Sequence, residues 1–542
     1  SLANQIPVTG GGPTGLALDA RRGLLYALTR FDNSISIIDV RLGREIGHVA
    51  MFNPEPRSVV KGRRFLYDAA FTSGHGDSAC ATCHIFGDFD SLAWDLGDPD
   101  DIATPIPGPF TFDLTLLGPP IGTSTPIHHP LKGPMTTQSL RGMANHGPMH
   151  WRGDRTGGTD ATRLVVLPSA QPDTGTFDEQ AAFKKFNVAF GGLLARANPL
   201  ADDEMQAFTD FILQVTYPPN PIRNLDDSLT PDQQAGRDFY FSHLPDGREL
   251  PSDTFHNCNG CHVLDPQGNA QFGVAKPGFF GSDGRYSFEA ETQFVKVPHL
   301  RNMYQKVGMF GMDNTFNPSD TSGLGTLLPE PYNSSAPTGD QVRGFGFLHD
   351  GSVDTVFRFH SGTVFAQRQS NPGGIVVAGP TDDPATAQQK VLANIKLRRQ
   401  IEAFMLAFDS NLAPIVGQQA TLDEAAGADT TARLDLLEAR AAAGECDLVA
   451  HGLFHGEPTG FLFDPATNAF LPDRSHRDPV ADAHLRTLAG AGRATLTFTA
   501  VPPGSGRRAG IDRDLDGNLD GDRDERDRSR GGGHRDDSLA RE

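Results

Sequence analysis

Two copies of one five-residue frame constrain this chain more than any other feature: Cys80-Ala-Thr-Cys83-His84 and Cys258-Asn-Gly-Cys261-His262. C-x-x-C-H is the attachment frame of c-type haem. Two thiols one helical turn apart add to the two vinyl groups of a single porphyrin, and the adjacent imidazole reaches the iron as its proximal ligand. The rival readings fit less well. A thioredoxin-like C-x-x-C needs a βαβ context, and none surrounds either frame. A Cys₄ zinc site leaves the trailing histidine of each pair unexplained. The frames therefore imply two haem c groups, attached at Cys80 and Cys83 and at Cys258 and Cys261, with His84 and His262 as proximal ligands. The fifth and last cysteine, Cys446, reads as a small buried hydrophobe, with an intermolecular disulfide as the alternative.

Thioethers of this kind are made in the periplasm or an equivalent exported space, so the chain is expected to be periplasmic or extracellular. Its first residues, Ser-Leu-Ala-Asn-Gln, carry neither a basic nor an apolar leader, so any export signal is expected to have been removed or left out. No apolar run is long enough to span a bilayer. A net charge of −20 argues against binding a nucleic-acid backbone and leaves redox proteins as the expected partners. With 60 Gly and 40 Pro in 542 residues, long connections are expected between short elements.

The expected fold is mainly α and loop-rich, in five stretches. Residues 1–58 read as four short strands, Gly15–Ala20, Leu24–Thr29, Ser34–Val40 and Glu45–Met51, with clear alternation in Ser34-Ile-Ser-Ile-Ile-Asp-Val40. That is the size of one propeller blade, and the wording resembles the YVTN-type propeller repeat. A lone blade cannot close a propeller. The chain is therefore expected to be part of a longer polypeptide or larger assembly, or to pack the sheet on its own cytochrome portion. Residues 59–222 and 223–412 read as two cytochrome c domains, joined through the Pro-rich stretch Tyr217–Asp226. Residues 413–510 read as a small α+β module, with a helix at Ala420–Ala443 and strands at Leu448–Gly452, Gly460–Phe463 and Ala494–Ala500. Residues 511–542 form an acidic, partly disordered tail.

The two cytochrome stretches echo each other. Gly62-Arg-Arg-Phe65-Leu-Tyr67 precedes the first haem frame and Gly236-Arg-Asp-Phe239-Tyr-Phe241 the second. Leu140-Arg-Gly-Met143 leads to His150-Trp151-Arg152-Gly153-Asp154, as Leu300-Arg-Asn-Met303 leads to Leu348-His349-Asp350-Gly351-Ser352. Each then supplies a helix, Asp202–Val215 and Ala387–Phe408.

On these motifs, residues 60–410 resemble the bacterial dihaem cytochrome c peroxidase superfamily, which includes the methylamine-utilisation dihaem enzyme and a dihaem rubber oxygenase. The flanking segments look like a multidomain exported branch carrying propeller repeats. The resemblance implies a peroxide-reacting first haem and an electron-collecting second haem. It places Trp151 as the relay tryptophan between them, although Trp-Arg-Gly-Asp stands where the family has Trp-Asp-Gly-Arg. The family's distal glutamate has no counterpart: Asn198-Pro199-Leu-Ala-Asp-Asp-Glu204-Met205 reads instead as a helix start. The superfamily sets the sixth ligand of the second haem one to two turns beyond the His-Asp-Gly turn, which points to His360 ahead of Met309, Met312 and His349. For the first haem, the corresponding stretch Phe177–Leu194 holds no His or Met. That iron is either open or met from a loop by His75, His128, His129, His146, Met149 or His150, with His150 leading.

Arg141, Arg152 and Arg301 are candidate partners for haem propionates, because guanidinium offers paired donors. Asp512, Asp514, Asp516, Asn518 and Asp520, with Gly517 between them, follow the oxygen-ligand pattern of an EF-type Ca²⁺ loop, although position 12 is Arg523. Capped irons shuttle electrons, and an open iron binds peroxide or dioxygen. The missing glutamate favours an exported dihaem electron carrier. Trp151 favours the alternative, a dihaem peroxidase or oxygenase with an open first haem.

Overall fold

The computed structural model describes residues 5–53, 55–95, 134–144, 149–151, 155, 178–253, 256–260, 262, 298–308, 332, 342–369, 371–408 and 410–522, and five two- or three-residue strands within 104–165. Helix and sheet share the described residues, so the expectation of a mainly α chain gives way to a mixed one. The chain divides into two compact units, one of residues 1–217 and 229–408, the other of Pro218–Ser228 and Asp409–Glu542.

The first unit opens with a four-stranded antiparallel meander of β1 (Pro13–Asp19), β2 (Leu24–Thr29), β3 (Ser34–Asp39) and β4 (Arg44–Ala50). Two of its turns are built alike. Asp19 Oδ1 accepts from the backbone N–H of Arg21 and Arg22, and Asp39 Oδ1 from Arg41 and Leu42. Each turn ends on a glycine in left-handed backbone, Gly23 at φ 68° and Gly43 at φ 60°, a conformation that costs glycine little. Alternation buries Ser34, Ser36 and Ile38 on one face of β3. On the outer strands Leu16 and Leu18 of β1 and Ile46 and Val49 of β4 stay exposed. Glu55 ties this sheet to the helix that follows, accepting from Arg30 at 2.6 and 3.0 Å and from Arg63 of α1 (Arg57–Tyr67).

Each haem-frame half is then organised by two helices that meet at a glycine. Helix α1 packs on Asp202–Ile212, and a Cβ on Gly62 would collide with Phe211 Cβ and the Ala207 carbonyl. Helix Pro231–Tyr240 packs on Pro384–Leu406, where a Cβ on Gly236 would collide with the Gln400 carbonyl and Phe404 Cβ. Aromatic rings fill the angle beside each crossing. Phe208 lies 5.0 Å from Phe183 and 6.0 Å from Phe65, while Tyr240 lies 5.6 Å from Phe404 and 5.3 Å from Phe408. Offset and edge-on rings at these separations add to simple area burial. The stretch Phe177–Leu194 is broken into helices Glu179–Lys184 and Val188–Gly192 with a tighter turn between them.

The second unit carries a six-stranded antiparallel sheet. In spatial order its strands are Gln419–Leu422, Ala494–Val501, Asp447–Phe454, Glu457–Asp464, Ala469–Pro472 and Val480–Ala481. Helices Ala428–Ala442 and Asp482–Gly490 contribute Leu434, Leu437 and Leu485 to its core, against Phe461, Phe470 and Phe498. The expected helix at Ala420 starts late because Gln419–Leu422 pairs with Ala494–Val501 as an edge strand. Cys446 lies in this core, 2% exposed, as a small hydrophobe.

Candidate haem sites

The first frame sits on the one-turn helix Cys80–Cys83, whose start is closed by Thr82 Oγ1 accepting from Ala79 N–H at 3.0 Å. His84 follows as its C-cap, N–H to the Cys80 carbonyl. The His84 Nδ1 faces the Gln138 carbonyl at 2.8 Å, which makes Nδ1 the protonated nitrogen and leaves Nε2 as the lone-pair donor. In the second frame Cys258–Gly260 forms a tight turn, His262 N–H bonds to the Cys258 carbonyl, and His262 Nδ1 faces the Pro298 carbonyl at 2.7 Å. The two histidines are thus oriented identically. Burial disfavours the protonated form of both, lowering His84 and bringing His262 to about 4. Burial also raises the thiols, Cys80 to about 11 and Cys258 to about 12.

The orienting carbonyls explain a motif. Gln138 stands two residues before Leu140-Arg141 and Pro298 two residues before Leu300-Arg301. Both Leu-Arg-x-Met stretches then turn through left-handed backbone at the same place, Gly142 at φ 65° and Asn302 at φ 63°. Glycine and asparagine are the residues that accept this conformation most readily. Met143 and Met303 end buried in both halves.

The next echo is also structural. Met149 bridges Arg155 with its N–H to the Arg155 carbonyl at 2.9 Å, and Phe347 bridges Val353 in the same way at 2.7 Å. The following residues, His150 at φ 71° and Leu348 at φ 64°, are both left-handed. Counted from these bridges, Trp151 of the first turn corresponds to His349 of the second. Trp151 is buried and donates Nε1–H to the Thr136 carbonyl at 2.7 Å, while Thr136 N–H donates to the His349 carbonyl at 2.6 Å. One residue, Thr136, therefore hydrogen-bonds to the tryptophan of the first turn and to the backbone of the second. His150 is half-buried with its ring edge-on to Phe186 at 6.3 Å, and His75 is exposed.

Beyond these turns the halves diverge. Thr355 caps helix Val356–Phe359 through Arg358 N–H at 3.1 Å, and Asp178 caps Glu179–Lys184 through Ala181 N–H at 3.0 Å. Five residues past each cap stand His360 and Phe183. His360 is 2% exposed, with Nδ1 on the Val356 carbonyl at 2.8 Å, so Nε2 is again left as the donor atom. Burial first, and then the positive charge of Arg398, bring His360 down to about 4. Phe183 is buried among the rings of Phe208 and Phe186.

Two positioning residues escaped the sequence reading. Arg398, fully buried on Pro384–Leu406, donates Nε and Nη2 to the Phe357 carbonyl at 3.0 and 2.6 Å and stacks over the Phe357 ring at 3.7 Å. Glu402, one turn on, accepts from Phe357 N–H at 2.8 Å. Together they clamp the short helix that carries His360. Asn394, Arg398 and Glu402 recur every four residues and so share one helix face, which is buried here.

Arg141 pairs with Asp88 at 3.1 Å and donates to the Phe86 carbonyl at 3.1 Å. Arg301 is 7% exposed. Tyr217, raised to about 12 by burial, hydrogen-bonds with Ser139 and feels the charges of Arg301, Asp88 and Arg141. Asp88 also acts on Tyr304 and Lys306, so charged and phenolic groups from both halves converge here. Glu204 reaches back to Ala201 N–H at 3.0 Å, which makes it a helix-start residue. Cys261, Arg152, His129, His146, Met309 and Met312, and the side chain of His128, lie outside the described residues. In the second unit Asp512, Asp514 and Asp516 each bring a carboxylate oxygen within 4.8 Å of the others, with Asn518 exposed and Asp520 half-buried nearby.

No family model matches the chain, and no curated protein sequence does. Among solved structures it is similar at 17% identity to a Kuenenia stuttgartiensis hydrazine synthase pressurised with xenon, over 64% of this chain and 88% of that one, with a TM-score of 0.31. It is also similar at 17% identity to a MauG-like protein associated with microbial copper homeostasis, over 66% of this chain and 91% of that one, with a TM-score of 0.26. At these scores neither superposition defines the fold. Among the described residues no helix is long and apolar enough to cross a membrane.

Proposed function

We propose that this chain is an exported dihaem c-type cytochrome that passes single electrons between redox protein partners. The observation that carries the reading is the matched presentation of His84 and His262. Each directly follows a C-x-x-C pair and spends its Nδ1 on a backbone carbonyl two residues before a Leu-Arg pair, leaving Nε2 for a metal. Cys80, Cys83, Cys258 and Cys261 would hold the porphyrins, and Arg141, Arg152 and Arg301 are the candidate propionate partners. Bound there, haem c supplies a one-electron iron couple. His360 suits the sixth position of the second iron. It is buried, burial holds it in the neutral form, and its Nδ1 is tied to its own helix. The net charge of −20 favours partners with basic docking faces.

A second reading, a peroxidase or oxygenase working at an open first haem, is favoured by one observation: five residues past the helix cap the first half has Phe183, and the second has His360. Trp151, bonded through Thr136 to the second half, would then link the two centres. Low-temperature EPR of the oxidised and half-reduced protein, with hydrogen peroxide added afterwards, decides between them. Two low-spin signals indifferent to peroxide support the carrier, with His150 as the first residue to test as a cap on the first iron. A high-spin signal consumed by peroxide replaces the carrier with the enzyme.

A further inference from the structure

The loop after Ile511 holds carboxylates that the haem reading does not use. Asp512 is wholly buried at 0% exposure. Its Oδ2 accepts from Arg507 Nη2 at 2.9 Å, Arg507 Nε at 3.1 Å and Gly517 N–H at 3.2 Å. Its Oδ1 is buried with no hydrogen-bond partner. An unsatisfied buried carboxylate oxygen is costly, and the Arg507 guanidinium is engaged with the other oxygen. Asp514 and Asp516, both exposed, present oxygens within 4.8 Å of the Asp512 carboxylate and of each other. Carboxylates this close repel one another, and a cation held between them relieves that repulsion.

The backbone is shaped for the same purpose. Gly517, the sixth residue counted from Asp512, turns through φ 88°, and its N–H on Asp512 Oδ2 draws the loop round. Asp520 N–H closes the loop on the Ile511 carbonyl at 2.9 Å. Around it the segment is stitched to the sheet of its own unit: Gly506 N–H to Asp447 Oδ2 at 2.7 Å, His451 Nε2 to the Ala509 carbonyl at 2.7 Å, and Gly521 N–H to the Asp473 carbonyl at 2.9 Å.

We propose that Asp512, Asp514 and Asp516 bind one Ca²⁺, which fastens residues 506–522 onto the six-stranded sheet. The donors are all oxygens, which excludes the soft and borderline metals that prefer thiolate or imidazole. Exposed, adjustable carboxylates suit the larger and less demanding coordination shell of calcium better than the strict octahedron of magnesium. Asp512 anchors the ion from the protein side, and Asp514 and Asp516 close over it from solvent. Arg523 at the twelfth position removes the usual bidentate carboxylate, so the affinity belongs to the weak, extracellular class, with Kd about 10⁻⁴–10⁻³ M.

The test uses the full haem-loaded chain, stripped with a chelator and titrated with CaCl₂ by calorimetry, with limited proteolysis of 506–522 as a second readout. The Soret band reports separately that the haem portion is intact, so failure here is distinguishable from failure of the cytochrome reading. Asp512 is buried and its removal risks unfolding, so the variant is the exposed pair Asp514→Asn, Asp516→Asn. The expected result is one Ca²⁺ per chain, slower cleavage of the segment when it is bound, and at least a tenfold loss of affinity in the variant. Absence of binding at millimolar Ca²⁺ overturns the proposal. So does unchanged affinity in the variant, which would locate the ion elsewhere.

Discussion

The two haem-frame halves of the first unit share a plan and part at one position. Both cross two helices at a glycine, both orient a frame histidine with a carbonyl two residues before Leu-Arg, and both turn through left-handed backbone at Gly142 or Asn302 and at His150 or Leu348. Then the second half places a buried histidine five residues past a helix cap, and the first places a phenylalanine. Both halves keep the elements that orient the frame histidine, and they differ in the residue five positions past the helix cap. That asymmetry separates a relay from a reaction centre more directly than the shared frames do.

The largest expected effect comes from exchanging these two residues. His360→Ala should abolish the low-spin EPR signal of the second haem and let that iron bind CO, leaving the first haem's spectrum unchanged. Phe183→His should move the first haem toward the low-spin form if its sixth position is open, and leave it unaltered if a loop residue already caps it. An unchanged second signal in His360→Ala would remove His360 from the ligand set and dissolve the comparison.

Next come the crossings. Gly62→Ala and Gly236→Ala each force a methyl into the opposing helix, at a cost of about 1–3 kcal/mol or more, measured by denaturant unfolding. Similar losses would mark the crossings as equivalent supports. A tolerant Gly62 beside an intolerant Gly236 would show that the first half relies less on its helix pair.

The smallest effect concerns a difference one residue along. Arg63 is buried on Glu55, whereas Arg237, at the same place in the repeat, is exposed over the Phe241 ring at 4.9 Å. Hydrogen bonds from Arg30 first, and then from Arg63, pull Glu55 down to about 2. A depressed carboxylate contributes stability that is present above its unfolded value, near 4.5, and is lost as pH falls toward 2. The wild type should therefore lose stability between pH 4.5 and 2 more steeply than Glu55→Gln, modestly because Glu55 is partly exposed. Parallel acid profiles would show that the Arg30–Glu55–Arg63 bridge does not tie the sheet to α1.

Much of the repeat was legible because it is written in side chains with steric or chemical necessity. The C-x-x-C-H spacing marks the two frames, and the echoes at Gly62 and Gly236 and at Leu-Arg-x-Met fall where the structure has close helix crossings and left-handed turns. The four strands of the meander showed in their alternation and turn glycines. The edge strand Gln419–Leu422 did not, because its four residues continue into a helical pattern and only pairing with Ala494–Val501 makes them a strand. Arg398 and Glu402 were hidden for a related reason: on a helix they read as solvent charges until the Phe357 backbone is laid across them.

Residue order alone displays the two C-x-x-C-H frames and the internal repeat, since these depend on local spacing and on residue types with few alternatives. It also displayed the spacing of the Asp512 loop. Folding was needed to show which nitrogen of each frame histidine bonds to a carbonyl, that His360 is buried with its Nδ1 on its own helix, and that Thr136 bonds to both the Trp151 and His349 turns. Backbone carbonyls carry no signature in the sequence, and a burial shared between segments a hundred residues apart exists only once the chain has folded.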